Sequence, residues 1–184
     1  MCAVPIGAEH RHVVDLEGRA IRCTCAPCQL LFSHEGAAQG RYRAVPMRYL
    51  YDTDFQMSEG QWDELQIPVG LAFFFKNSAM DEFVALYPSP AGATESELPL
   101  DTWTDILAAN PDITEIVPDV EALLLRRMDK GTECYLVPID ACYDLVGRVR
   151  LHWRGFQGGT EVWEEIDAFF SRLREQGRRL GVGG

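Results

Sequence analysis

Three cysteines stand within six positions of this chain, and they constrain its folding and its chemistry more than any other feature. They are Cys23, Cys25 and Cys28. Pro27 lies between the last two and favours a turn there. Two cysteines separated by two residues around a turn direct both sulfurs at one centre, as in a zinc knuckle. The sequence therefore predicts a metal site at Cys25 and Cys28.

A structural zinc ion takes four ligands, and the N-terminal segment offers candidates for the other two. Residues 12–16 and 20–23 read as two strands joined by a tight turn, and this hairpin would bring the N-terminal segment beside the cysteines. If Cys23 lies on a strand, it shares a face with Cys25 and is either an alternative ligand or a neighbouring free thiol. We expect the ligand set Cys2, His12, Cys25 and Cys28, with His10 and Cys23 in reserve.

Other chemistry stays open for these thiols. An iron–sulfur cluster needs four thiolates, and the candidates are Cys2, Cys23, Cys25 and Cys28. The neighbouring histidines favour zinc instead. A redox-active thiol pair of this spacing normally opens a long helix after a strand, whereas this pair follows a hairpin, so that interpretation is weaker. The two remaining cysteines, Cys134 and Cys142, lie on apolar faces and are predicted to belong to the core.

Charge and length limit the classes of partner. The chain has 184 residues, which fits one domain, and a formal net charge of -11. Residues 51–145 hold 19 acidic side chains and 4 basic ones. Because such a segment repels a polyphosphate backbone, we expect no nucleic-acid partner. An acidic surface suits solubility or a basic protein partner.

Neither a signal peptide nor a membrane span is visible in the sequence. No apolar run reaches the roughly 20 residues that a membrane-spanning helix needs, and the N-terminus lacks a basic segment followed by an apolar core. We therefore expect no membrane association and a cytoplasmic location. In that reducing compartment, six cysteines indicate metal or redox chemistry rather than disulfides.

The remaining patterns predict an α+β fold. Residues 69–75 are almost continuously apolar, which is typical of a strand buried on both faces, and residues 82–87 are its expected partner. Apolar residues at helical spacing predict two C-terminal helices, with Asp140 and Thr160 as their N-terminal caps. Residues 119–127 fit either a short helix or a strand, and their good helix formers favour the helix. We expect a mostly antiparallel sheet packed by the two C-terminal helices over residues 39–184, with a small zinc-ribbon-like module over residues 1–38.

A stretch rich in proline, glycine and small residues follows the second central strand, and residues 88–99 are predicted to form a long, stiff loop. Such loops often bind partners, although a loop packed over the sheet edge fits the same residues. Near the end of the first C-terminal helix, an imidazole and a guanidinium flank an aromatic ring. The residues assigned to partner binding are Tyr87, Pro88, Ser89, Pro90, Gly92, Thr94, Glu95, His152 and Arg154.

Several enzyme signatures are missing from the sequence. It contains no Gly-rich phosphate loop, no nucleophile elbow and no His-Glu-x-x-His zinc-protease motif. Three of the four histidines lie in the first 34 residues, which leaves His152 alone for acid–base chemistry in the main domain. These observations favour a protein without catalytic activity.

Taken together, the motifs resemble a bacterial family, domain of unknown function 5947, which is often encoded near nickel–iron hydrogenase genes. The resemblance covers nearly the whole chain. It rests on residues 9–12, on the Cys23-x-Cys25-x-x-Cys28-x-Leu-Leu-Phe segment, and on residues 41–43, 87–96, 136–140 and 152–155.

This resemblance implies a Cys-x-x-Cys pair ahead of the histidines, and Cys2 matches the second cysteine of that pair. The first has no counterpart here, so we expect either a start codon further upstream or a site with one ligand lost. The gene neighbourhood implies a non-enzymatic accessory protein with a structural zinc site that assists hydrogenase assembly by binding a hydrogenase subunit or maturation factor. The alternative is a redox or electron-transfer protein that uses Cys2, Cys23, Cys25 and Cys28.

Overall fold

The computed structural model describes residues 2–34, 36–114, 116–155 and 158–180. The N-terminal part of the chain forms a small antiparallel sheet of three strands. Its strands are β1 (Arg11–Asp15), β2 (Ala20–Thr24) and β3 (Tyr42–Ala44), in the order β2-β1-β3. The predicted hairpin is present, because β1 and β2 pair in register from Arg11 with Thr24 to Asp15 with Ala20. A short helix, α1 (Ala26–Leu31), follows β2 directly.

A seven-stranded sheet organises the rest of the described chain. Its strands are β4 (Leu50–Asp52), β5 (Leu71–Asn77), β6 (Glu82–Ser89), β7 (Gly92–Ser96), β8 (Glu121–Met128), β9 (Gly131–Pro138) and β10 (Arg178–Arg179). They lie in the order β10-β4-β9-β8-β5-β6-β7, and every neighbouring pair is antiparallel except β10 with β4. The expected α+β class with a mostly antiparallel sheet is therefore confirmed.

Helices cover both faces of this sheet. They are α2 (Glu59–Glu64), α3 (Leu100–Ala109), α4 (Ile139–His152) and α5 (Thr160–Gln176). The two C-terminal helices, α4 and α5, pack on one face as expected, with Val146 and Phe170 in that core. On the other face, Trp62 of α2 and Trp103 of α3 build a second core, which the sequence did not predict.

The structure corrects the expectation of a helix over residues 119–127. Most of these residues form the central strand β8, in which Glu121 to Leu125 are all buried. Leu124 enters the core beneath α4 and α5, whereas Leu123 enters the core on the α2 and α3 side. A strand packed on both faces needs apolar residues at successive positions, and this burial outweighs the helix propensity of the segment.

The long loop expected over residues 88–99 is also wrong. Strand β6 continues through Ser89, the chain turns at Pro90, and β7 returns along the sheet edge. Pro88 is tolerated because the pairing of β6 with β5 stops at Leu86, so the ladder at Pro88 involves β7 alone in the described pairing. Gly92 begins β7 with φ of 126°, a conformation that favours glycine.

The small N-terminal sheet packs onto the main core. Val14 of β1 and Val45, just after β3, belong to the same buried cluster as the inner faces of α4 and α5. Arg43 of β3 donates hydrogen bonds to the backbone oxygen of Pro118 (2.9 Å) and to Asp119 Oδ2 (3.1 Å). Strand β3 pairs with β1 but lies beyond residue 38, where the boundary between the two modules was expected. That boundary stays a prediction.

None of the described helices is both long enough and apolar enough to cross a membrane.

Candidate metal centre

Three cysteine sulfurs converge at the start of α1. Cys2, Cys25 and Cys28 each contribute one sulfur, and these atoms all lie within 4.8 Å of one another. The Sγ atoms of Cys2 and Cys25 are 3.6 Å apart, and all three thiols are free. Two thiolates bound at about 2.3 Å to a tetrahedral zinc ion stand about 3.8 Å apart, so the spacing of these thiols fits that ion.

The local chain path explains why two of these thiols meet. Cys25 is the residue immediately before α1, and Pro27 occupies the first turn, where a proline costs no helical hydrogen bond. The N–H of Gln29 donates to the oxygen of Cys25 at 3.0 Å and closes the turn that carries both thiols. The side chain of Gln29 then donates to the backbone oxygen of Val45 (2.6 Å), which anchors α1 beside β3.

Cys25 and Cys28 do not ionise equally. The backbone N–H of Cys2 and the thiols of Cys2 and Cys25 form hydrogen bonds to the sulfur of Cys28 and lower its pKa to about 7. For Cys25, a backbone hydrogen bond from Cys28 lowers the pKa, but contacts with the thiols of Cys2 and Cys28 and burial outweigh it, so the net pKa is raised. Of these two, Cys28 therefore more readily provides the thiolate that a metal requires.

A second group of potential ligands lies on the N-terminal hairpin. His10, His12 and Cys23 each place one ligand atom within 4.8 Å of the others, and this group shares no residue with the cysteine trio. The hairpin register explains it, because His12 of β1 lies directly opposite Cys23 of β2. The rings of His10 and His12 meet edge to face, with centroids 4.7 Å apart.

The structure therefore separates the four expected ligands into two groups. It brings together Cys2, Cys25 and Cys28, but it places His12 with the two reserve residues, His10 and Cys23. Four thiolates for an iron–sulfur cluster are not gathered in the described residues, since Cys23 stands with the histidines. Cys134 and Cys142 are buried in the two cores, as predicted.

Sequence reasoning missed the partner of His12. The Nδ1 atom of His12 lies 2.6 Å from Oδ2 of Asp140, in the first turn of α4. Asp140 and Thr160 were expected to cap α4 and α5, but both residues lie inside the helices, and Pro138 and Gly159 hold the capping positions. No local pattern links positions so far apart, and the one signal available was the presence of residues 9–12 and 136–140 among the motifs of the resemblance.

The residues assigned to partner binding lie on the β6–β7 hairpin and at the end of α4. Tyr87, Pro88 and Ser89 belong to β6, Pro90 to the turn, and Gly92, Thr94 and Glu95 to β7, while His152 ends α4 and Arg154 follows it.

The hairpin and the end of α4 are close in space, because a Cβ added at Gly92 would stand 4.0 Å from Cδ of Arg150. Pro88 is buried, whereas Pro90 and Glu95 are exposed. The Ser89 and Thr94 hydroxyl oxygens are 2.9 Å apart, which links the two strands near the turn. The assignment to partner binding stays a prediction.

The fold and these ligand groups define an α+β protein with a cysteine-rich candidate metal centre at its N-terminal end. The model of a family of unknown function (DUF5947) matches residues 1–177, and the chain belongs to this family. The resemblance to that family is thereby confirmed, while the hydrogenase gene neighbourhood stays a prediction. No curated protein and no solved structure gives a significant match to the chain.

Proposed function

We propose that this protein is a non-enzymatic accessory protein whose N-terminal module is held together by a zinc ion bound to Cys2, Cys25 and Cys28. The observation that carries the proposal is the convergence of three free thiols within 4.8 Å. The three sulfurs occupy three positions of a tetrahedral ion, and water or a donor atom of the partner takes the fourth.

The donor set is the argument for zinc. Soft thiolate ligands in a tetrahedral arrangement select zinc over hard cations such as magnesium or calcium. Zinc bound by cysteines contributes folding free energy on the order of 10 kcal/mol in isolated modules. In this protein α1 has six residues, too few for a stable isolated helix, so an ion that joins Cys25 and Cys28 to Cys2 would stabilise it.

A protein partner is the second part of the proposal. Leu30 and Leu31 of α1 are 65% and 67% exposed, next to the proposed zinc site, and such apolar side chains suit a protein contact. The β6–β7 hairpin and the end of α4 offer a further surface. The resemblance described above directs the search to subunits and maturation factors of nickel–iron hydrogenases.

Metal analysis tests the zinc site. The purified wild-type protein should retain zinc, and the double variant Cys25→Ser/Cys28→Ser should hold one equivalent fewer and unfold at a lower temperature. A Cys134→Ser control affects a buried thiol outside the site and should keep its zinc. A metal-free wild-type protein that unfolds at the same temperature with and without added zinc would contradict the proposal.

Gene deletion and affinity capture test the partner. The tagged protein should recover a hydrogenase subunit or maturation factor from its host, and the Cys25→Ser/Cys28→Ser variant should recover less. Deletion of the gene should reduce the amount of mature hydrogenase. Normal hydrogenase maturation in the deletion strain would exclude this role and leave the zinc proposal standing.

A redox role is the second candidate, and the 3.6 Å approach of the Cys2 and Cys25 sulfurs favours it. Oxidation of these two thiols would form one disulfide and pass two electrons and two protons to an electron acceptor. The visible absorption of the anaerobically purified protein distinguishes the candidates. A zinc protein is colourless, whereas an iron–sulfur protein absorbs at about 400 nm. Intact mass after mild oxidation reports the loss of two hydrogens that a disulfide requires.

A further inference from the structure

We propose that His10, His12 and Cys23 form a second zinc site, separate from the cysteine trio, with a coordination position open to the neighbouring cavity. One ligand atom from each residue lies within 4.8 Å of the others, and none of the three belongs to the Cys2, Cys25 and Cys28 group. This inference does not rest on the function proposed above.

Hydrogen bonds hold both imidazoles in the tautomer that a metal site needs. Nδ1 of His10 lies 3.1 Å from the oxygen of Gly7 and 3.0 Å from the oxygen of Ala8. Carbonyl oxygens only accept, so this nitrogen carries the proton and Nε2 keeps its lone pair. Nδ1 of His12 likewise donates to Oδ2 of Asp140 at 2.6 Å. Histidines that bind metals commonly donate their other ring N–H to a carbonyl or a carboxylate in this way.

The hairpin places all three ligands on one face. His10 immediately precedes β1 and His12 is its second residue, and their rings lie on the same side with centroids 4.7 Å apart. Cys23 stands directly opposite His12 in the register of β1 with β2. Side chains opposite each other in an antiparallel pair have Cβ atoms about 5 Å apart, which is within reach of a shared ion. Backbone pairing therefore fixes the placement of His12 and Cys23.

A cavity of about 840 Å³ adjoins this group, and its lining includes His10, His12 and Asp140 together with the apolar side chains of Val14, Leu86 and Ile139. Zinc with three protein ligands and a fourth exchangeable position is the arrangement of zinc sites that bind small molecules. With one thiolate and two neutral imidazoles, the bound ion keeps a single positive charge. The site would thus take water or one anionic donor, a carboxylate or a thiolate, from a molecule in the cavity.

Asp140 strengthens the argument from the other side. Its Oδ2 atom orients His12, while its Oδ1 atom is buried and has no hydrogen-bond partner among the described residues. A buried carboxylate oxygen without a partner is costly. A hydrogen-bond donor on a molecule in the cavity would satisfy it.

Zinc stoichiometry of the full chain tests the inference, with inorganic zinc as the probe. Wild-type protein equilibrated with zinc should bind two ions per chain. The double variant His10→Gln/Cys23→Ser should bind one, and the complementary double variant Cys25→Ser/Cys28→Ser should also bind one. His34→Gln serves as the control, because His34 is an exposed histidine outside both groups, and it should keep two ions.

Cobalt provides a second readout for the same variants. Cobalt bound to Cys25→Ser/Cys28→Ser should show charge-transfer absorption from one thiolate, and the further change Cys23→Ser should remove it. Cys23 is exposed, so its replacement leaves the core intact, and circular dichroism checks the fold of each variant.

Three outcomes would overturn the second site. One is a wild-type protein that binds a single ion which His10→Gln/Cys23→Ser retains, which would leave the cysteine trio standing. Another is a wild-type protein that binds a single ion which each of the two double variants loses, which would mean that the six residues share one ion. The third is a Cys25→Ser/Cys28→Ser protein that is folded but takes up neither zinc nor cobalt.

Discussion

His12 Nδ1 lies 2.6 Å from Oδ2 of Asp140, although 128 residues separate them in the sequence. The contact joins β1 of the small N-terminal sheet to the first turn of α4 in the main domain. Both side chains are about a quarter exposed, at 23% and 25%, so water screens the contact only in part. It therefore links the His10, His12 and Cys23 group to the helix that packs on the large sheet.

A double-mutant cycle measures this link. We expect His12→Ala and Asp140→Ala, in chelator-treated protein, to show a coupling free energy of about 1–2 kcal/mol. Each single variant already removes this hydrogen bond to a charged group, so the double variant has no second bond to lose. Urea unfolding provides the values. Asp144→Ala is the matched control on the same helix, where the exposed pair with Arg148 should contribute about 0.5 kcal/mol. A coupling indistinguishable from zero would mean that the contact does not join the two parts.

An ion pair with a buried carboxylate gives the second prediction. Glu121 of β8 has no exposed surface, and its two carboxylate oxygens accept hydrogen bonds from Nε and Nη2 of Arg48 at 2.8 and 2.7 Å. The N–H of Val117 donates to the same carboxylate at 2.9 Å. Arg48→Met should cost about 3–5 kcal/mol of unfolding free energy, since it leaves a buried charge without its partner.

The double variant Arg48→Met/Glu121→Leu is the control for that prediction. It removes both charges and should regain at least half of the loss, as measured by urea unfolding. A double variant that is less stable than Arg48→Met would show that the carboxylate stabilises the fold without its arginine.

Local sequence patterns were sufficient for the parts of the fold in which the apolar residues follow one helical or strand pattern. The apolar stripes after Asp140 and Thr160 predicted α4 and α5, and the continuous apolar run predicted β5. For β8, the same residues satisfy helix propensity and a doubly buried strand, and the deciding factor is the packing of α2 and α3 on the second face of the sheet, which no local pattern indicates. For the β6–β7 hairpin, the prolines predicted a loop. Pro88 is compatible with a strand because β5 does not pair with β6 at that position, and this pairing is a property of the assembled sheet.

The candidate site was predictable to a similar extent. The spacing of Cys25 and Cys28 was enough to expect that they share a site, and the structure brings them together. The pairing of His12 with Cys23 follows from the hairpin register, which a turn over residues 16–19 sets, so the sequence contained that signal. The contact of His12 with Asp140 arises from packing between distant segments, which sequence spacing does not encode.

Acid unfolding should report on Asp15. Hydrogen bonds from Arg41 and from the N–H of Gly18 lower the pKa of this carboxyl below its ordinary value of 3.8. A carboxyl with a lowered pKa in the folded state stabilises the protein fully above its ordinary pKa, and this stabilisation is lost as the pH falls below 3.8 towards the folded-state value.

The comparison of Asp15→Asn with the wild type isolates this effect. The urea midpoint of the wild type should fall more between pH 6 and pH 3 than that of Asp15→Asn. Asp81→Asn is the control, because Lys76 also lowers the pKa of Asp81 but its side chain is 84% exposed, so its pH dependence should stay close to wild type. Parallel curves for Asp15→Asn and the wild type would rule out a role for this carboxyl.

Thiol reactivity separates the two kinds of cysteine. Burial raises the pKa of the Cys134 and Cys142 thiols well above the ordinary value, and both side chains are inaccessible. In native, chelator-treated protein, Cys2 and Cys23 should react with N-ethylmaleimide within minutes, and the two core thiols only after denaturation. Peptide mapping by mass spectrometry identifies the modified residues. Rapid modification of Cys134 in the native state would contradict the placement of β9.

X-ray absorption at the zinc edge examines the cysteine trio most directly. The sample is the His10→Gln/Cys23→Ser variant loaded with one equivalent of zinc, in which Cys2, Cys25 and Cys28 are the remaining clustered ligands. We predict three sulfur neighbours at about 2.3 Å and one nitrogen or oxygen neighbour at about 2.0 Å. A coordination shell of nitrogen and oxygen alone, or a folded protein that retains no zinc, would contradict a zinc site on these three cysteines.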